Sequence, residues 1–189
     1  MLWLWIVYLA VVAWIAAHYT QKILPKYLIC LLCAIIGSVP LFFAHYSAIE
    51  MVYAFFGAPS LLCVLIALGA LWRVLALDFG IRALAPLKPI SFVLYAAFGA
   101  VLLLGALNIA PSLDIYHFEP LYQNLIILGV MGVMIALDSV MGIFFAVSCI
   151  ILLGGGDDKS IIEVVFCPYL WLYSVGYTLF MIFTLPKRL

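Results

Sequence analysis

Asp114, His117 and Glu119 stand within one six-residue stretch, interleaved with Tyr116 and followed by Tyr122. A carboxylate and an imidazole at this separation can act as base and acid on a phosphate or sugar carried by a lipid. Joined by His45 or Glu50 they could instead hold a divalent cation, because carboxylate and imidazole suit zinc or manganese. The candidate catalytic set is therefore Asp114, His117 and Glu119, and the weaker metal set is His45, Asp114, His117 and Glu119. D-x-x-H-x-E matches no characteristic metal-site spacing.

Other chemistries find less support. Haem needs two axial ligands facing each other at one depth. His18 falls at the opposite end of the chain's spans from His45 and His117, and no cofactor is assigned. Cys30 and Cys33 form a C-x-x-C within an apolar run, where a thiolate lacks stabilisation, and read as packed free thiols. Gly57-Ala58-Pro59-Ser60 is not the G-x-S-x-G elbow of a serine hydrolase. Asp138 has no second intramembrane aspartate with which to form a dyad.

The elements that must position these residues are dominated by hydrocarbon. Of 189 residues, 70% are hydrophobic and 8% charged, and the mean hydropathy is +1.36. These values belong to the membrane class, and the length suits six or seven spans of about 20 residues. The net charge of zero supports no nucleic-acid partner. The apolar start at Leu2 lacks the basic region of a cleaved signal and predicts a retained first span.

In chain order, spans are predicted over residues 2–18, 27–44 and 59–75, with a short interfacial helix before the third and Pro59 in that span's first turn. A fourth covers residues 90–107. Asn108–Asn124, bracketed by Pro111 and Pro120, is the longest polar break. As one helix, Leu121–Gly154 would be about 50 Å long against a hydrocarbon core of about 30 Å, with Asp138 near its centre. Two spans meeting at Leu137-Asp138-Ser139 put the carboxylate at the interface, where Asp138 or Ser139 caps the second helix. Gly154–Lys159 is a polar connection, Ser160–Cys167 with Glu163 a short surface helix, and Pro168 opens a seventh span ending near Leu185. Gly129 and Gly132 are expected to let another helix of the fold approach closely.

With seven spans and the N-terminus outside, every lysine and arginine except Lys159 falls on the cytoplasmic side. Six spans would put Lys187 and Arg188 outside. The expected fold is thus an all-α, polytopic integral membrane helical bundle of about seven transmembrane helices. It is a single transmembrane domain over residues 1–189, with N-terminus outside and C-terminus cytoplasmic, in a bacterial inner membrane. The outer face is acidic, as the exclusion of basic residues from outer loops alone would leave it. The expected role is a non-enzymatic membrane subunit or scaffold, presenting acidic and aromatic outer loops to membrane lipids or to another membrane or envelope protein. The alternatives are a small enzyme acting on a lipid head group and a carrier of an amphipathic or lipidic molecule.

Overall fold

The computed structural model describes residues 2–20, 23–38, 47–155 and 161–184. These are all-α, and helices occupy the described part of each segment expected to span; residues 39–44 of the second and 185 of the seventh lie outside the described residues. Three of them, Leu61–Asp78, Pro89–Ala106 and Pro120–Leu137, are long and apolar enough to cross a membrane. The chain divides into two compact units, one holding residues 1–59 and 63–85 and the other 60–62 and 86–189.

The first unit contains α1 (Leu2–Tyr19), α2 (Ile23–Ser38), α3 (Ala48–Phe56) and, from Cys63 onward, α4 (Leu61–Asp78). α1 packs on α2, and α3 on both. The Tyr8 hydroxyl donates to the Cys33 carbonyl at 2.7 Å, giving the one polar atom of that ring an acceptor inside the α1–α2 contact. Cys30 and Cys33 are free thiols. α3 starts on a capping box: Ser47 Oγ accepts the Glu50 N–H at 3.2 Å and Glu50 Oε2 accepts the Ser47 N–H at 2.7 Å. This satisfies two amides that a helix start otherwise leaves open. Pro59 lies before α4 rather than in its first turn.

α4 ends on Asp78, whose carboxylate pairs with the Lys26 ammonium of α2 and accepts the Tyr27 hydroxyl at 3.1 Å. Both charged side chains are nearly covered, at 6% and 8% exposure.

The second unit contains α5 (Pro89–Ala106), α6 (Pro120–Leu137), α7 (Ser139–Gly155), α8 (Ile161–Val165) and α9 (Pro168–Thr184). Proline opens α5, α6 and α9, where its missing N–H costs nothing and its fixed φ suits the first turn. α5 and α9 lie against each other. The Trp171 indole N–H donates to the Ala96 carbonyl at 3.0 Å, and Phe92 meets Tyr173 and Tyr177 with ring centroids 5.4 and 5.0 Å away. The aromatic residues of the last helix thus help to pack it and do not serve only as an interfacial belt.

α6 and α7 form the expected hairpin, broken at Asp138 in extended backbone. α8 is the expected short helix, with Glu163 exposed and its other face covered. Ile162, Val164 and Val165 are buried, and the element packs on α6 and α7. The fully buried Tyr95 fixes its end: the hydroxyl donates to the Val165 carbonyl at 2.9 Å and accepts the Cys167 N–H at 3.1 Å.

The glycines that matter are not those expected. A Cβ on Gly129 or Gly132 would meet nothing within 4 Å, so neither mediates a helix contact within the described residues. A Cβ on Gly142 would come to 2.5 Å from the Ile135 backbone, and one on Gly99 to 2.1 Å from the Trp171 ring. Gly99→Ala is therefore expected to destabilise the protein by about 2 kcal/mol, as overpacking does. Gly129→Ala should be neutral or stabilising by up to ~1 kcal/mol through helix propensity. Thermal unfolding of the two variants in one detergent checks the contrast, and equal losses would refute it.

Candidate functional site

The loop that carries the acid and imidazole groups is built from both ends. α5 stops because Asn108 adopts a left-handed φ of 57°, a conformation asparagine tolerates better than most residues. The Leu104 carbonyl then accepts the N–H groups of Ile109 and Ala110, each at 3.1 Å. The chain folds back so closely that a Cβ on Gly105 would lie 2.5 Å from the Leu113 carbonyl oxygen.

Two single 3₁₀ turns follow, Pro111–Leu113 and Ile115–His117. Asp114 caps the second by accepting the Tyr116 N–H at 3.2 Å, and Ile115 anchors it in the core. From the first turns of α6, Gln123 Nε2 donates to the carbonyls of Tyr116 and Phe118, at 3.1 and 3.0 Å. A proline, a cap, one apolar anchor and one amide therefore hold a loop that has no other regular structure.

Two of the three sequence candidates come together. Asp114 Oδ2 lies 2.5 Å from His117 Nδ1, with side-chain exposures of 18% and 85%. The carboxylate fixes the ring and leaves Nε2 facing outward, the orienting half of an acid–base relay. Among the described residues no hydroxyl or thiol hydrogen-bonds to His117, and no three His, Cys, Asp or Glu residues group as a metal ion would need.

Glu119 is used differently. It stands at the N-cap position of α6 but makes no side-chain capping bond. With Phe118, Tyr122, Leu125 and Ile126 it lines an open cleft of about 430 Å³. Glu50 belongs to the other unit, in the α3 capping box, and His45 lies outside the described residues. Burial, and then the carboxylates of Glu163 and Asp114, raise the Tyr116 phenol above its ordinary value of 10.0.

A second polar centre joins α5 to the α6–α7 hairpin. Asp138 stands at the turn of the hairpin and is 2% exposed. Its Oδ1 caps α7, accepting the N–H groups of Val140 and Met141 at 3.1 and 3.4 Å. Its Oδ2 accepts the Ser91 hydroxyl and the Lys88 N–H, both at 2.7 Å. The Lys88 ammonium donates to the Leu137 carbonyl at 2.8 Å. One carboxylate therefore faces the N-terminal ends of α5 and α7, where both helix dipoles favour negative charge. Burial acts to raise its pKa. The Ser91 hydroxyl and the N–H groups of Lys88, Met141 and Val140 outweigh it and hold the carboxyl below its ordinary 3.8.

Capping by Asp138 is legible in Leu137-Asp138-Ser139. Its link to Ser91 is not, since the two are 47 residues apart. Ser148 and Ser174 are buried, and their hydroxyls donate to the Phe144 and Leu170 carbonyls of their own helices. They line no polar path. The chain matches no protein-family model, no curated protein and no solved structure.

Proposed function

We propose that the chain is a seven-span protein of a bacterial inner membrane, N-terminus outside and C-terminus cytoplasmic. In this reading it acts without turnover, as a membrane subunit or scaffold whose outer loop binds a membrane lipid. The observation that carries this reading is the shallow, mostly apolar cleft at the start of α6, which Glu119 lines together with Phe118, Tyr122, Leu125 and Ile126. An amphiphile fits such a surface, apolar along the helix and polar at its end. α6 also has the least covered window of the three long helices, with 11% of its residues buried against 33% and 44%. A helix so exposed and so apolar is expected to face hydrocarbon.

The bias of lysine and arginine supports the orientation. Reporters fused after Gly155 are expected to report an outer location, and fusions at Leu189 a cytoplasmic one. The reverse at either point refutes the seven-span reading. The lipid is tested by purifying the protein into lipid discs and weighing it intact by native mass spectrometry. A retained lipid is expected, and none retained refutes the binding reading.

The 2.5 Å contact of Asp114 with His117 favours a second reading, an enzyme acting on a lipid head group. On that reading turnover of a lipid-linked substrate falls by about 10²–10⁴ in His117→Ala. On the scaffold reading no such turnover exists to be lost.

A further inference from the structure

The chemistry of the cleft narrows its occupant. Its charged group is the Glu119 carboxylate, which makes no capping bond. Phe118 and Tyr122 share the lining with it, and Leu125 and Ile126 continue it one turn further along α6. Aromatic faces attract cations through the negative charge above the ring, and the combination of aromatic rings with a carboxylate recognises ammonium groups. Asp114, paired with His117, lies in the adjoining loop, and both it and Glu163 act on Tyr116. An anionic head group would meet repulsion here, and an uncharged one would leave the carboxylate unanswered.

Resting on the lipid-binding reading, we propose that the cleft selects a phospholipid whose head group carries an ammonium. The ammonium sits at Glu119 and the rings of Phe118 and Tyr122, and an acyl chain runs over Leu125 and Ile126. The site is a recognition site, and no bond is made or broken. Leu125 at 55% and Tyr122 at 55% exposure are open to such a ligand.

The test uses the full chain in discs of equal phosphatidylcholine and phosphatidylglycerol, read by native mass spectrometry. The wild type is expected to retain phosphatidylcholine over phosphatidylglycerol by roughly fivefold, the size of a cation–aromatic contribution with its carboxylate. Glu119→Gln should bring that ratio to about unity while total bound lipid is unchanged. Tyr122→Ala should lower it in part. Leu125→Trp, which fills the cleft, should remove bound lipid of both kinds. Circular dichroism and a single elution peak confirm that each variant folds, as expected for exposed positions.

If Glu119→Gln keeps the preference, or the wild type shows none, the ammonium selection is wrong while the cleft reading stands. If Leu125→Trp retains as much lipid as the wild type, the cleft reading itself fails, and the selection with it.

Discussion

Replacing Asp138 by alanine is expected to lower the unfolding stability of the second unit by about 3 kcal/mol, among the largest single losses available in this chain. The carboxylate accepts four hydrogen bonds at 2% exposure. Its removal leaves the Ser91 hydroxyl and the Lys88 N–H without an acceptor, and uncaps α7. A buried polar group left unpaired costs about 1–3 kcal/mol, and a lost cap about 1 kcal/mol.

Two further variants separate these contributions. Asp138→Ser keeps a short acceptor for the α7 cap but cannot reach Ser91 and Lys88, so it should recover about 1 kcal/mol relative to alanine. Asp138→Asn is not conservative, because its amide turns a donor toward donors on one side or the other. Denaturant unfolding in detergent, followed by circular dichroism, measures all three. A loss below about 1 kcal/mol in the alanine variant would show that water replaces the carboxylate and that the centre does not hold α5 to the hairpin.

The same carboxylate sets a pH dependence. Its folded pKa is lowered from 3.8, so folding favours the ionised form. The stability it contributes is fully present above that ordinary value and is lost as pH falls through the lowered folded value. The wild type should therefore hold this contribution from neutral pH down to about 4 and lose it below. In Asp138→Asn that component of the acid loss should disappear. Identical acid profiles would mean that other carboxyls govern the transition.

Breaking the Lys26–Asp78 pair should cost the first unit a similar amount. Each partner is more than nine-tenths covered, so Lys26→Met leaves a buried carboxylate with Tyr27 alone and Asp78→Leu leaves a buried ammonium. Removing one member of a covered pair typically costs about 3–5 kcal/mol, because the survivor keeps its desolvation penalty. The lysine stem offers partial relief by reaching toward water, which places Asp78→Leu near the lower end of that range. The double variant Lys26→Met/Asp78→Leu removes both penalties and should recover most of the loss. A double variant as unstable as the two single losses added together would show that the charges act independently.

Helix boundaries with a local cause were legible, whereas α2 begins at Ile23 instead of residue 27 and α4 runs on to Asp78 instead of ending near Leu75. Pro89, Pro120 and Pro168 each open a helix, and the extended backbone at Asp138 breaks α6 from α7 where a polar pair interrupts the apolar run. Ser47-Ala48-Ile49-Glu50 is a capping box whose spacing is also legible. Glu50, by residue type a possible metal ligand, is the acid of that box. Asp114 and His117 are three residues apart, and a single 3₁₀ turn brings such a pair together. Glu119, two residues beyond, falls at the start of α6 and turns to a different surface.

Local residue patterns therefore carry the all-α class, the helix starts at Pro89, Pro120 and Pro168, the break at Asp138 and the short-range Asp–His pair. Tertiary structure alone decided that Asp138 answers Ser91 and Lys88, that Lys26 meets Asp78, and that Gly99 and Gly142 are packed while Gly129 and Gly132 face open space. The physical reason is the same for all of these. A helix apolar on every side carries no polar face to mark which way it turns, so the rotation of each helix about its axis is absent from the pattern. It is set only when side chains interlock with a neighbour, and that rotation chooses which glycine is covered and which distant polar groups meet.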